Sequence, residues 1–132
     1  MIVKFFDMQD ESNPLNGLIV RGDKELAQIL DGFRTRDPFF AELRGENGYH
    51  LLIGIGRTIG CVQYSHGEGD PPYLVALATP PISRRNDAEF LAGDTPTPIP
   101  ARNILPFEQV KQIAIYFRET GTPSPDVSWE EV

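Results

Sequence analysis

The stretch that decides the fold is YHLLIGIGRTIGCVQY, residues 49–64. It holds two apolar, β-prone runs joined at Gly56 and Arg57, and glycine in the first central position suits a type II′ hairpin turn. The turn predicts a register in which three pairs share one face: Tyr49 with Tyr64, Leu51 with Val62, and Ile53 with Gly60. The opposite face then carries His50, Leu52, Cys61 and Gln63. The sequence therefore predicts an antiparallel hairpin with one clearly apolar face.

Shorter β-prone runs on both sides of this hairpin predict further strands of the same sheet. They are residues 2–6, 18–20, 73–78, 88–91 and 127–129. The links between neighbouring runs are too short for helical crossovers, so we expect antiparallel pairing. The stretch GDTPTPIPARN is broken by prolines and reads as a connection. In all, we expect a sheet of about five to six strands.

Two segments have the apolar spacing of amphipathic helices. In residues 23–34, Asp23 suits the N-cap position, and an apolar stripe follows at spacings of three and four. In residues 106–119, Pro106 suits the first turn and Gly121 the C-terminal stop. The second stripe consists of Phe107, Val110, Ile113, Ala114 and Phe117. The fold class predicted is α+β, a single domain over residues 1–132 with the two helices covering one face of an antiparallel sheet.

Length and composition restrict the class of protein. The chain has 132 residues, of which 40% are hydrophobic, enough for one modest core. The opening MIVKFFDMQD lacks the features of a signal peptide, and no run approaches the roughly 20 apolar residues that span a bilayer. Cys61 is the only cysteine, which excludes an intramolecular disulfide and fits a reducing compartment. We expect a cytoplasmic protein without membrane contact.

The charge balance indicates the chemistry of partners. The formal net charge is -7 and the isoelectric point is about 4.7. Such a chain repels nucleic acid backbones and favours basic partners. Acidity also keeps proteins soluble without serving any partner, so charge alone leaves both interpretations open.

Residues with catalytic or metal-binding chemistry form no convincing constellation. The segment GIGRTIG has the glycines of a phosphate loop, but a β-pattern resumes after it where such loops begin a helix. His50 and His66 lack partners at metal-ligand spacing, and Cys61 in mid-strand behaves as a small hydrophobe. We therefore expect no catalytic residue, no metal and no cofactor.

An alternative from another functional class uses the hairpin face that carries His50, Gln63 and Cys61. A small-molecule binder or minor enzyme on this face requires a concave pocket with converging polar groups and a perturbed titratable residue. A face packed solid against a helix would exclude it.

Two groups of residues are candidates for binding a protein partner. Trp129 beside Glu130 combines an aromatic side chain with an acidic one, although a single Trp also commonly completes a core. The loop of residues 65–72 is acidic and rich in glycine. The acidic candidates, which flank neighbouring strands and are expected to form one negative patch, are Glu68, Asp70, Glu89 and Asp94.

Three stretches together resemble the bacterial immunity-protein family one (Imm-one). They are NILPFEQVKQIAIYFRETGTPSPDVSWEEV (103–132), YHLLIGIGRTIGCVQYS (49–65) and AEFLAGDTPTPIP (88–100). The order of elements agrees as well, and the resemblance covers roughly residues 15–132. Each part alone is ordinary, so the combination and spacing carry the resemblance.

The resemblance implies an α+β protein encoded beside a polymorphic toxin, often a deaminase-like or nuclease toxin, which it holds inactive. The Trp and acidic feature of that family falls on Trp129 and Glu130. Arg84 and Arg85 lie in an expected variable, partner-facing region. We accordingly expect a non-enzymatic immunity protein, a monomer or weak dimer when free, whose partner is a basic toxin domain. A regulatory relative that binds no toxin is left open.

Overall fold

The computed structural model describes residues 1–78 and 87–132, which hold ten strands and two α-helices. The strands are β1 Val3–Asp7, β2 Leu18–Val20, β3 Phe39–Gly45, β4 Tyr49–Ile55, β5 Ile59–His66, β6 Leu74–Leu77, β7 Ala88–Ala92, β8 Thr95–Ile99, β9 Leu105–Pro106 and β10 Ser128–Glu131. The helices are α1 Asp23–Gly32 and α2 Phe107–Thr120, and a 3₁₀ turn spans Ala101–Asn103.

Seven strands form one antiparallel sheet in the order β10-β6-β5-β4-β3-β1-β2. The two-residue β9 pairs with the start of β5. The β7–β8 hairpin joins the sheet through one parallel pair, between Leu91 and Phe39 of β3. The α+β class, the antiparallel sheet and the two helices are thus confirmed, but the prediction of five to six strands is wrong.

The missed strands have identifiable causes. β3 alternates in the manner of a strand, with Phe39, Ala41 and Leu43 buried on one side, but its sequence FFAELRG also contains four helix-forming residues. β8 contains Pro96 and Pro98 and was expected to be a connection. Within the described residues it pairs with β7 alone, and an edge strand tolerates prolines because its outer amides need no partner.

The central hairpin is confirmed, but its register differs from the prediction. Tyr49 pairs with His66, Leu51 with Tyr64 and Ile53 with Val62. The turn is centred on Arg57 and Thr58, and the Gly56 amide donates to the Ile59 carbonyl (3.0 Å). Because the pairing is displaced by two residues, every side chain keeps its predicted face.

Both helices cover the face of the sheet on which Leu51, Ile53 and Val62 lie. The apolar stripe of α2 is buried as predicted, with Phe117 and Val110 fully enclosed. Deep burial of this many large apolar groups is the main stabilising term for a domain of this size. This helix-covered face therefore holds the main core.

Among the described residues, the opposite face is covered at one end by the β7–β8 hairpin. Phe90 of β7 packs there with Phe40, Cys61 and Ile104 in a second, smaller apolar cluster. Gly54 makes this approach feasible, because a Cβ at that position would lie 2.9 Å from the Phe90 ring. Within residues 1–78 and 87–132, no helix lies over the remainder of this face, which is called the open face below.

The helix ends differ slightly from expectation. Gly121 caps α2 in the left-handed conformation (φ 71°), as predicted, and its carbonyl accepts from Tyr64 Oη and Asn47 Nδ2. Asp23, however, is not the N-cap of α1. That position is Gly22, and the Asp23 carboxylate accepts from Arg118 Nε (2.8 Å), an ion pair that joins the two helices.

A buried carboxylate organises the loop after β1. Asp7 accepts from the backbone amides of Gln9 and Asp10, from Asn13 Nδ2, and from an Arg36 guanidinium nitrogen at 2.7 Å. Burial by itself raises the pKa of Asp7, but these hydrogen bonds together hold it below the ordinary value of 3.8. The charged form is therefore the one that the fold stabilises.

Candidate functional site

One line of side chains crosses the open face from strand to strand. The pairings place Glu42 opposite Leu52, Leu52 opposite Gln63, Gln63 opposite Val75, and Val75 opposite Glu130. These five residues are half-buried. We call them the cross-sheet row, which has a carboxylate at each end and an amide between two apolar groups.

The cross-sheet row is the floor of a cleft of about 530 Å³. Its walls come from Phe40 and Met8, from Thr97 and Ile99 at the β7–β8 hairpin, and from the 3₁₀ turn with Arg102 and Asn103. Most of the lining is apolar, and the few polar groups lie at the middle and the ends of the row. Clefts of this size and composition are common binding sites.

Glu130 is held in place at one end of the row. Its Oε1 accepts from Asn103 Nδ2 (3.0 Å) and Arg102 Nε (3.1 Å). Asn103 is itself buried, and its Nδ2 also donates to the Ala76 carbonyl. The hydrogen bond from Asn103, followed by the interaction with Arg102, lowers the pKa of Glu130, so this carboxylate is ionised at neutral pH.

Glu42 has a similar arrangement at the other end of the row. Its Oε1 accepts from Arg44 Nε (2.7 Å) and lies 3.4 Å from His50 Nδ1. The Arg44 guanidinium is stacked 3.8 Å from the centre of the Phe6 ring. At both ends, hydrogen bonds within the described parts of the chain reach only Oε1, and Oε2 accepts none.

The three residues of the alternative hypothesis are only partly brought together. Cys61 and Gln63 line the cleft, whereas His50 lies beside it against Glu42. Burial raises the pKa of the Cys61 thiol to about 12, so the thiol stays protonated and is a poor nucleophile. No helix of the described part of the chain is packed against the open face, and the cleft there leaves room for a ligand.

Trp129 and Glu130 are neighbours in sequence but lie on opposite faces, because side chains alternate along β10. The Trp129 ring packs against the main core, and its Nε1 donates to the Ser124 carbonyl (2.9 Å). Only Glu130 reaches the cleft. The structure therefore separates the two members of this predicted pair.

The acidic residues are placed in separate groups. Glu68 and Asp70 are exposed in the loop after β5, at the end of the sheet where β4 begins. Their carboxylate oxygens and a ring nitrogen of His66 lie within 4.8 Å of one another, an arrangement that exposed acidic groups often adopt without a metal. His66 Nδ1 already accepts from the Glu68 amide (3.3 Å).

Glu89 and Asp94 belong to the β7–β8 hairpin, at the other end of β3. Glu89 is exposed between two buried residues of β7, so it points away from the sheet. Asp94, at the hairpin turn, exchanges two hydrogen bonds with Gln9: its Oδ1 accepts from Gln9 Nε2, and its amide donates to Gln9 Oε1. The structure does not bring these two residues together with Glu68 and Asp70, and Arg84 and Arg85 lie outside the described residues.

Sequence reasoning missed most residues of the cleft, among them Glu42, Val75 and Asn103. Val75 could have been assigned to the open face from the alternation of YLVALA, but its place beside Gln63 and Glu130 depends on two long-range pairings. Nothing in the sequence around Asn103 signals that it lies beneath Glu130. The cleft is a product of the register between distant strands.

Among the described helices, none is long and apolar enough to cross a membrane. A search of curated proteins finds no match to this chain. A family model described as Immunity protein Imm1 matches residues 16–131, nearly the whole chain, and agrees with the resemblance seen in the sequence. The chain therefore belongs to the immunity protein family Imm1.

Proposed function

We propose that this protein is an immunity protein that binds a cognate bacterial toxin and holds it inactive in a stoichiometric complex. The observation that carries the proposal is the family match over residues 16–131. A face of the sheet without a helical cover, with a cleft in it, supplies a surface suited to a protein partner.

The proposed toxin is basic and acts on nucleic acid, as a deaminase or nuclease. The net charge of -7 supports this, because an acidic inhibitor attracts a protein whose own substrate is polyanionic. Glu68, Asp70, Glu89 and Asp94 are proposed to speed the encounter, since charge acts over a Debye length and does not require one contiguous patch. Glu130 is proposed as a contact residue, and so is Trp129, which is half-buried.

We propose inhibition by binding and not by catalysis. The protonated state of Cys61 supports this, since a buried thiol with a raised pKa is a weak nucleophile. A cytoplasmic location and a monomer or weak dimer in the free state belong to the same proposal. The single cysteine is consistent with a reducing compartment.

A second candidate function is small-molecule binding in the cleft. The cleft volume of about 530 Å³ and the polar groups of Gln63 and Glu130 favour it. Calorimetric titration of metabolites into the free protein tests this candidate, because small-molecule binding in the cleft would be detected without any toxin.

Co-expression with the toxin domain encoded beside this chain tests the leading proposal. We expect growth to be rescued and a one-to-one complex to be isolated by size exclusion. The same toxin domain with an inactivated catalytic site should still form the complex. A pair that neither associates nor restores growth contradicts the proposal.

A further inference from the structure

We propose that the cross-sheet row is the docking site for the toxin, and that it receives an apolar protrusion flanked by basic side chains. This inference rests on the proposed function and assigns it a surface. The row is defined by Glu42, Leu52, Gln63, Val75 and Glu130, whose side chains share the open face.

The centre of the row fits an apolar group with one polar contact. Leu52 and Val75 are half-buried on either side of Gln63. The Gln63 side chain makes no hydrogen bond within the described parts of the chain, although it stands in an apolar setting. Its amide is therefore free to donate to, and accept from, the backbone of an inserted loop.

The ends of the row determine the charge of the partner. The Cα atoms of Glu42 and Glu130 are separated by four strand spacings, about 19 Å in a flat sheet. Each carboxylate accepts from an arginine of this chain through Oε1, which leaves Oε2 as the acceptor for a donor of the partner. A pre-positioned carboxylate binds an arginine or lysine at little ordering cost, and charge-assisted hydrogen bonds are the stronger kind.

Arg44 and Arg102 at the same ends do not reverse this preference. Their side chains are 41% and 61% exposed, so water screens their positive charge. The chain as a whole carries a net charge of -7, which adds to the attraction. An apolar loop with a basic residue on each side thus fits both the floor and the ends of the cleft.

Blocking the centre of the row is the most direct test. Val75→Arg places a long cationic side chain where the apolar group of the toxin is expected. Because Val75 is only half-buried, the cost to folding should be small. The matched control is Gln112→Arg, which adds the same charge to an exposed position of α2 on the other side of the sheet. We expect at least about a hundredfold weaker toxin binding for Val75→Arg and a change below about threefold for the control.

Removing the charge at one end gives a second measurement. Glu130→Gln keeps the shape and an acceptor but loses the charge, and Glu131→Gln removes the same charge from the next residue of β10 on the opposite face. We expect roughly tenfold weaker binding for Glu130→Gln and little change for Glu131→Gln. Equal effects of the two variants would mean that only net charge matters and would overturn the assignment of Glu130.

Binding is measured by calorimetry with the purified toxin domain encoded beside this chain, and folding of each variant by thermal melts. If the wild type binds the toxin and a folded Val75→Arg variant binds it with the same affinity, the docking site is overturned and the proposed function stays intact. Absence of wild-type binding and of growth rescue overturns the proposed function instead. Should Val75→Arg fail to fold, Gln63→Leu replaces it, with loss of affinity expected and unchanged affinity contradicting the proposal.

Discussion

The two faces of the sheet use the same strands for different purposes. Leu51 is fully buried beneath the helices, whereas Leu52, the next residue, is half-exposed on the open face. Likewise Trp129 packs on the core and Glu130 faces the cleft. Since alternate residues serve different faces, stability and binding are separable by single substitutions. Mutations on the helix-covered face should change folding, and mutations on the open face should change affinity.

The largest effect on folding is expected from Phe117→Ala. Phe117 is fully buried between α2 and the sheet, with an edge contact to Tyr64. Loss of its ring should lower the free energy of unfolding by about 3 to 5 kcal/mol, a large part of the roughly 5 to 15 kcal/mol of a small domain. Chemical denaturation measures it. A change below about 1 kcal/mol would contradict the assignment of this face as the core.

Asp7→Asn probes a carboxylate that supports β1 and its loop. Loss of the charge opposite Arg36 should lower the free energy of unfolding by about 2 to 3 kcal/mol at neutral pH. The effect depends on pH. Since the pKa of Asp7 is lowered from 3.8 on folding, its contribution is present above that value and is lost as the pH falls through the folded pKa.

Urea unfolding of wild type and Asp7→Asn, from neutral pH to below 3.8, checks this expectation. The difference between the two proteins should shrink towards the acid end. A constant difference across the whole range would show that the effect of the substitution is packing and not charge.

Trp129→Ala tests whether this residue belongs with the core or with the binding surface. The half-buried ring and its bond to the Ser124 carbonyl predict a loss of about 1 to 2 kcal/mol in the free energy of unfolding. Trp129→Phe, which keeps an aromatic ring, should lose less. Reduced toxin affinity with an unchanged melting curve would instead make Trp129 an interface anchor.

The smallest effect on folding is expected from neutralising the four exposed acids Glu68, Asp70, Glu89 and Asp94. Each should change the free energy of unfolding by less than about 0.5 kcal/mol. Toxin association should become roughly tenfold slower at low salt, and added salt should slow the wild type towards the variant. Stopped-flow kinetics measure this.

The matched control neutralises four other exposed acids, namely Glu11, Asp37, Glu119 and Asp126. The same slowing in both variants would assign steering to the total charge and not to the four predicted positions. If the variant of Glu68, Asp70, Glu89 and Asp94 associates with the toxin as fast as the wild type at low salt, these residues have no steering role.

Local sequence signals were sufficient for much of the fold. The stripe that ends at Phe117 and the stop at Gly121 located α2, because both depend on neighbours within one or two helical turns. The faces of the central hairpin were also correct despite the wrong register. β3 was missed because its run of Ala, Glu, Leu and Arg also favours a helix. The capping role of Asp23 failed because its carboxylate is engaged by Arg118, 95 positions away in sequence.

The candidate site was less accessible to sequence reasoning. Glu130 and Gln63 were both noted, but for different functions, since nothing local indicates that they share one row. Their proximity depends on β6 lying between β5 and β10. Pairings between strands distant in sequence are set by the whole core, so a site assembled from them becomes visible only in the folded chain.

The β7–β8 hairpin has a consequence for how such proteins diversify. Its anchoring contacts lie on β7 and the turn, where Phe90 packs at Gly54 and Gly93 is bonded to Met8. β8 is mostly exposed, and its Thr97 and Ile99 border the cleft. Substitutions at the exposed positions 95–98 should therefore cost little folding stability while they reshape the rim of the proposed docking site. At the proposed docking site, the exposed positions of β8 are therefore where toxin specificity can change without rebuilding the domain.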